Sequence, residues 1–400
     1  GASAIVVGLL VASYAAAQFI GAPLLGRWSD QYGRRPILLL SILGTAIGFL
    51  LAGLAEPLAK LFIGTPGATQ NAFVLTILFI SRILDGLTGG NITVAQAYIS
   101  DVTDEKNRAT GLGLIGAAFG FGFILGPATG GLLSGYGYAV PFFVAGAIAL
   151  LNLGSVFLFL PESLTAEKRA EIAKHPRAGR NLGSLFQSFN RPRVGPLFRV
   201  RFFYAVAFSM FQSIFGLYAA GVPLYLTARQ TGFVLAYVGV LAAFVQGFAI
   251  RRLSGRFEEK TMIFTSAVLM ALPLLAWGFV PNLLWLLVIL LPLSFGGGIL
   301  NTIINSALTK AVYPEAIGGT LGISAALESL TRVIAPALGG LLLAQFGPLG
   351  PGLFCGIIMF GVVGYAWQRL LVNPDPPLAD RSRTPGMTAP ADALQKKVHN

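Results

Sequence analysis

Apolar runs of about twenty residues recur from one end of this chain to the other, and they limit its fold more than any other feature. A helix of that length, rising 1.5 Å per residue, crosses the ~30 Å hydrocarbon core of a bilayer. The 400 residues are 55% hydrophobic and only 11% charged, against roughly 25% charged residues in an average soluble domain. A soluble core buries one such helix, not ten or more. The pattern therefore predicts an all-α membrane protein.

We place eleven spans along the chain, at 5–26, 36–54, 72–100, 109–133, 139–160, 202–226, 231–250, 261–281, 283–309, 318–344 and 351–372. A polar, arginine-rich segment separates the first five spans from the last six, and a proline-containing tail follows the last. The chain is thus predicted to consist of a first bundle (1–160), a central loop (161–201), a second bundle (202–372) and a disordered tail (373–400).

Basic residues are concentrated on one side of the predicted bundle. All but four of the 28 lysines and arginines fall on the side that carries the loop 27–35, the central loop and the tail. Lys60 and Arg229 lie on the other side, and Arg82 and Arg332 lie inside spans. Because loops rich in these residues stay in the cytoplasm, the asymmetry predicts a cytoplasmic central loop and tail. It also accounts for the net charge of +12 without a nucleic-acid partner.

The two halves of the chain repeat. Residues 126–133 match 335–342 at an offset of 209, each with one proline and two adjacent glycines, and Gly113 falls on Gly322 at the same offset. Halves in the same orientation are related by an axis along the membrane normal. With five spans in the first half and six in the second, the alignment predicts that helix 1 is missing from this sequence, which leaves a vacant groove in the first bundle.

Residues for several other kinds of site are lacking. Cys355 is the only cysteine and cannot form an intrachain disulfide, and both histidines, His175 and His399, lie outside the spans. The glycine-rich stretches do not contain the Gly-x-x-x-x-Gly-Lys-Ser/Thr pattern of a phosphate-binding loop. The sequence therefore predicts that the protein is not an enzyme and needs no metal or cofactor.

Four motifs resemble those of the major facilitator superfamily in order and spacing. Segment 26–35 resembles the loop between helices 2 and 3 of that family, and segment 82–90 resembles its helix 4 motif, an arginine followed by spaced glycines. Segment 161–163, Pro-Glu-Ser, is similar to the exit of helix 6 in its drug:proton antiporters. The fourth motif looks like the helix 5 motif of antiporters and consists of Gly122, Gly126, Pro127, Gly130 and Gly131.

The resemblance covers nearly the whole chain and is nearest to the tetracycline-resistance branch of twelve-helix antiporters. It implies the major facilitator fold, with two pseudo-symmetric helix bundles and eleven spans present because helix 1 is missing. It also implies a gating role for the loop residues Gly26, Asp30, Gly33, Arg34 and Arg35. Asp30 would face the N-terminus of helix 11, near 318–322, whose dipole favours a carboxylate. The alternative is that these are only surface charges that set the topology.

Two charged pairs lie inside spans, Arg82 with Asp85 and Glu328 with Arg332. Each charge at such depth costs at least about 2.5–3.5 kcal/mol unless it faces a partner or a cavity. One interpretation is a pair of neutralised structural contacts. The other is that Asp85, Glu328 or both carry a proton or bind a cationic substrate. The repeat places Phe119 and Phe123 opposite Glu328 and Arg332, so the scaffold itself does not require these charges.

Polar side chains inside the spans are candidates for the wall of a central cavity, although hydrogen bonding between helices is the default interpretation. They are Gln96, Asn152, Gln212, Gln246, Asn301 and Asn305. Weaker candidates for an aromatic binding surface are Tyr14, Phe119, Phe123 and Tyr218.

The sequence therefore predicts a secondary transporter, monomeric in the inner membrane of a bacterium, whose partners are a small-molecule substrate, protons and the lipid bilayer. The two halves would rock about a site near mid-membrane, and proton entry would drive export of a small organic compound or drug. A facilitator or uptake symporter of the same fold, or a transport-inactive membrane scaffold, remain alternatives. The direction of export rests on the helix 5 motif and thus on family resemblance alone.

Overall fold

The structure is a computed structural model of the chain and describes residues 3–165, 167, 169, 188–313 and 317–374. Within these residues eleven helical segments are long and apolar enough to cross a membrane, which confirms the predicted number of spans. We number the helices α1 Ala4–Tyr32, α2 Arg34–Ile63, α3 Ala68–Thr88, α4 Asn91–Val102, α5 Glu105–Leu133, α6 Val140–Phe159, α7 Val194–Ala220, α8 Ala228–Leu253, α9 Glu259–Trp277, α10 Leu283–Lys310, α11 Ile317–Phe346 and α12 Leu349–Val372.

Polar side chains start several helices at the ends of the spans. Asp104 accepts a hydrogen bond from the backbone N–H of Asn107 at the start of α5, and Asn282 accepts one from Trp285 at the start of α10. Thr227 and Gln230 form a reciprocal capping box at the start of α8. Such caps satisfy backbone N–H groups that have no partner within the helix. The ends of these spans are therefore fixed locally, by residues outside the apolar runs.

The third predicted span is two helices rather than one. Helix α3 ends at Thr88 and α4 begins at Asn91, with Gly89 and Gly90 between them. A Cβ on Gly90 would lie 2.5 Å from the Cα of Ala22 in α1, so only glycine allows this approach. The break therefore lies at a close approach of the span to α1.

The predicted bounds of the central loop are wrong at their far end. Helix α7 begins at Val194, so 194–201 of the predicted loop 161–201 belong to the first span of the second bundle. Arg201 therefore lies inside a helix and is buried, at 4% exposure. The predicted start of the span at 202 rests on an apolar run that begins only after Arg199 and Arg201. These two charges made the first residues of the helix look like part of the loop. The tail beyond 374 lies outside the described residues.

The helices pack as two bundles related by pseudo-twofold symmetry. Helices α1–α6 form the first bundle and α7–α12 the second, and α1 packs against α11 while α5 packs against α8. The repeat pairs α1 with α8 and α5 with α11, so these two contacts between the bundles are symmetry-related. Close packing of helices in lipid depends on small residues at the crossing. The arrangement confirms the predicted fold class.

The second bundle contains the larger buried core. Its centre is aromatic: Tyr218 donates a hydrogen bond from its hydroxyl to the carbonyl of Trp277 at 2.6 Å, and Phe211 and Phe215 pack beside them. Tyr218 is only 2% exposed, so it belongs to this core and does not line a cavity, contrary to the sequence-based suggestion.

Candidate functional site

The turn between α1 and α2 is built around Gly33, whose φ of +108° favours glycine. A Cβ at this position would lie 2.4 Å from Oε2 of Glu162. The Glu162 carboxylate accepts hydrogen bonds from the backbone N–H groups of Arg34 and Arg35, at 2.9 and 3.1 Å, at the start of α2. An anion at a helix N-terminus is stabilised by these free N–H groups and by the helix dipole. Glu162, in the segment after α6, thus holds the turn between α1 and α2 in place.

Arg34 is the centre of a buried ion-pair network on this face of the bundle, which we call the motif face. Its guanidinium contacts Asp30 of α1 at 2.6 Å and Asp101 of α4 at 2.9 Å, and it also donates to Ser29. Ser163 donates its hydroxyl to the same Asp101 carboxylate at 3.2 Å. The network joins α1 and α2 to α4 and to the segment after α6, which lie far from Arg34 in the sequence.

The other predicted gating residues have different surroundings. Arg35 donates to the carbonyl of Phe157 at 2.6 Å and lies over its ring. Among the described residues, Gly26 has no atom within 4 Å of the position that a Cβ would take, and its gating role stays a prediction. Residues 314–316, directly before the start of α11, lie outside the described residues, and the contact of Asp30 with 318–322 stays a prediction.

Arg82 and Asp85 form an ion pair at 3.3 Å within α3. The guanidinium of Arg82 lies between the rings of Tyr14 from α1 and Phe49 from α2, at 5.8 and 5.5 Å from their centroids. The side chain of Asp85 is only 7% exposed. Aromatic faces stabilise a cation, so the two rings support the Arg82 guanidinium beside the buried carboxylate.

Glu328 lies between two arginines in the second bundle. Its Oε2 contacts Arg201 of α7 at 2.5 Å and its Oε1 contacts Arg332 of α11 at 2.8 Å. Arg201 also donates to the side-chain oxygen of Asn301 in α10 at 2.5 Å. The sequence predicts the pair Glu328–Arg332. It does not predict the contact of Arg201 with Glu328, because the sequence analysis assigns Arg201 to the central loop. Arg201 lies less than two helical turns from a polar loop, and at such a position the sequence does not show whether an arginine is buried.

Tyr14 connects the two charged groups. It stacks on Arg82, and it lies within electrostatic reach of Asp85 and of Arg332 from the other bundle. The side chain of Arg332 is 57% exposed although it lies in the middle of α11. A charge at that depth faces a water-filled space rather than lipid. Among these charges, Arg332 and Glu328 are the more accessible ones, whereas the side chains of Asp85 and Arg201 are buried, at 7% and 5% exposure.

The polar cavity candidates have separate outcomes. Asn301 joins the cluster through Arg201. Gln96, Gln212 and Gln246 are exposed and Asn305 is half-buried, and none of the four has a side-chain hydrogen bond to another described residue. They stay predictions, as does exposed Asn152. Phe119 is exposed, and the side chain of Phe123 lies outside what the structure describes.

The helix 5 motif forms a contact between the bundles at the end opposite the motif face. A Cβ on Gly232 of α8 would lie 2.4 Å from the carbonyl oxygen of Pro127 and 3.0 Å from the Cα of Gly131. The symmetry-related contact joins α11 to α1: a Cβ on Gly8 would lie 2.4 Å from the carbonyl oxygen of Pro336 and 3.2 Å from the Cα of Gly340.

The remaining motif glycines do not take part in this contact. Among the described residues, Gly122, Gly126 and Gly130 have no atom within 4 Å of an added Cβ. Within the motif, Pro127 and Gly131 therefore pack against α8, whereas the other three glycines have space around them among the described residues. Sequence alone assigns all five residues to one role.

Comparison with known proteins agrees with this architecture. The model of the Major Facilitator Superfamily matches residues 1–318 and 226–398. "Solute carrier family 22 member 18" of Rattus norvegicus is 31% identical over 353 residues, covering 87% of this chain and 81% of the relative. "Tetracycline resistance protein, class D" of Salmonella ordonez is 32% identical over 349 residues, covering 84% and 80%. "Multidrug resistance protein 2" of Bacillus subtilis is 29% identical over 363 residues, covering 90% and 84%.

Solved structures share the fold. A bacterial homologue of the human lysosomal transporter Spinster, in an inward-facing and occupied conformation, superposes with a TM-score of 0.71 at 15% identity, covering 92% of this chain and 89% of the other. The human organic anion transporter MFSD10 gives a TM-score of 0.61 at 24% identity, covering 90% and 83%. The paired bundles, the motif-face network and the matched family model lead to one conclusion: this chain is a transporter of the Major Facilitator Superfamily.

Proposed function

We propose that this transporter exports a small organic compound in exchange for protons, with the substrate bound between the bundles and released by alternating access. The observation that carries the proposal is Asp85, a carboxylate buried in the first bundle with one arginine paired to it among the described residues. A buried carboxylate is costly unless it is paired or has a use. Relatives named for tetracycline and multidrug resistance support export over uptake.

Asp85 is the better of the two candidate proton sites. Glu328 contacts two guanidinium groups, at 2.5 and 2.8 Å, and both of its oxygens are engaged. Asp85 has one ion pair, at the longer distance of 3.3 Å. A proton that must bind and leave in each cycle competes with fewer fixed charges at Asp85. The two pairs, equivalent in the sequence, thus have different roles in the proposed cycle.

We further propose that the motif face is cytoplasmic and that the membrane is the inner membrane of a bacterium. The support is the concentration of arginine and lysine on that face. Cysteines introduced singly at Gly26 and at Gly64, in a Cys355→Ala background, test the orientation in intact cells. An impermeant thiol reagent added outside should label the Gly64→Cys protein and not the Gly26→Cys protein. Labelling of the Gly26→Cys protein would contradict the proposed orientation.

Tracer flux in proteoliposomes tests the coupling. With a pH difference across the membrane, a panel of organic compounds identifies one that the wild-type chain accumulates. Asp85→Asn should abolish that accumulation and should keep exchange of the same compound at equal pH, because exchange does not require the proton to leave. Glu56→Gln is the matched control, since Glu56 forms an exposed ion pair with Lys60 at the opposite face.

The alternatives have distinct results in the same assay. Full pH-driven accumulation by Asp85→Asn would assign the proton to another site. Equilibration without accumulation by the wild type would indicate a facilitator. Accumulation only along an inward proton gradient, in the same direction as the proton, would indicate a symporter.

A further inference from the structure

The two ion-pair clusters inside the spans have an unequal number of positive and negative charges. Within the described residues, their charged groups are Arg82, Asp85, Arg201, Glu328 and Arg332. Three guanidinium groups face two carboxylates, so the side chains sum to one positive charge when all are ionised. An uncompensated charge in the middle of a membrane is costly. A substrate that supplies one negative charge would balance the site.

The excess charge is located at Arg332. Arg201 is buried and directs its Nη groups to Glu328 and Asn301, while Arg82 is held by Asp85 and two aromatic rings. Among the described residues, Arg332 has one ion-pair contact, to Glu328, and its side chain is 57% exposed. Its remaining N–H groups have no hydrogen-bond acceptor among the described residues.

Arg201 makes Arg332 available. Without Arg201, both oxygens of Glu328 could bind Arg332 and neutralise it. Arg201 occupies Oε2 at 2.5 Å and leaves only Oε1 for Arg332. A guanidinium presents its N–H groups in a planar fork that matches a carboxylate. The guanidinium of Arg332 therefore uses only one of its Nη groups in a hydrogen bond to a described residue.

We propose that the substrate is an organic anion, and that Arg332 binds its carboxylate or other acidic group. This inference rests on the proposed transport function and names the chemical class of its substrate. Arg201 is a positioning residue in this scheme, since it acts through Glu328. The repeat supports a role specific to the second bundle, because Phe119 and Phe123 hold the positions equivalent to Glu328 and Arg332. A cationic substrate at Glu328 is disfavoured, since two cations already surround that carboxylate.

Binding to the detergent-solubilised full chain tests the proposal without a proton gradient. The probes are three compounds on one scaffold: naphthalene-1-carboxylate, 1-naphthylmethylammonium and 1-naphthalenemethanol. Equilibrium dialysis gives the affinities, and the thermal unfolding temperature reports folding of each variant. The carboxylate should bind tightest to the wild type. Arg332→Gln should weaken its binding about tenfold or more, the loss of one charge-assisted hydrogen bond, and leave the alcohol unchanged.

Two further variants make the result specific. Arg332→Lys keeps the charge without the planar fork and should give an intermediate affinity for the carboxylate. Arg229→Gln removes an exposed cation at the opposite face and should bind all three probes as the wild type does. Preference for the ammonium probe, equal binding of all three, no binding of the carboxylate, or an unchanged carboxylate affinity in Arg332→Gln would each overturn the proposal. If pH-driven transport fails while the carboxylate preference holds, only the coupling mechanism is wrong.

Discussion

Arg34 shows what a single side chain does on the motif face. It is 2% exposed and contacts carboxylates from two other positions, Asp30 and Asp101. Removing one partner of a buried ion pair leaves an uncompensated charge, which costs more than the pair contributes. The loop motif identifies Asp30 and Arg34 as functional candidates in the sequence. It does not identify Asp101, because the sequence shows only an ordinary charge at the end of a span.

Asp30→Asn should weaken closure of the motif face, because the neutral amide loses the charge that the dipole at the N-terminus of α11 would attract. We expect faster labelling of a cysteine placed at Gly122, in a Cys355→Ala background, by a thiol reagent applied from the motif face. Glu258→Gln, a change at the start of α9 outside the network, is the control. Unchanged labelling together with unchanged transport would reduce Asp30 to an ordinary surface charge.

Helix α5 has two kinds of glycine in one motif. Gly131 lies against α8, whereas its neighbour Gly130 has free space around an added Cβ. Neighbouring residues on a helix point about 100° apart, so adjacent positions experience different surroundings. The sequence predicts that the motif thins the helix, but not which glycine needs to be small.

Gly131→Leu should separate α5 from α8 at the end opposite the motif face, because its side chain would meet the backbone of Ala228 and Gly232. We expect lower transport and faster labelling, from that opposite face, of a cysteine at Gly135 in the Cys355→Ala background. Gly130→Leu is a control matched in residue type, helix and depth, and should change neither quantity by more than about twofold. Equal effects of the two variants would contradict the assigned contact.

The contact between α5 and α8 has a symmetry-related counterpart between α1 and α11. The carbonyl of Pro127 meets Gly232, and the carbonyl of Pro336 meets Gly8, at the same distance from an added Cβ. Both contacts lie at the end opposite the motif face and join different bundles. Pseudo-twofold symmetry places them on either side of the central space, so rocking of one bundle changes both together.

Gly8→Leu and Gly232→Leu should therefore have the same effect, since each opens one of two equivalent contacts. We expect each to lower transport, and the double variant to lose little more than either single one, because the end is already open after one change. Transport rates and the labelling of Gly135→Cys, both in the Cys355→Ala background, check this. Additive losses in the double variant would show that the two contacts act independently.

The sequence by itself determined the features that depend on composition and periodicity: eleven spans, the basic face, the repeat and the family. Each follows from a property of consecutive residues, such as apolar length or charge near a span end. Only the tertiary structure placed Arg201 between Glu328 and Asn301, and the ring of Tyr14 against Arg82. Helical periodicity tells which residues share one face of a helix, but the partner of that face is set by packing between helices far apart in the chain.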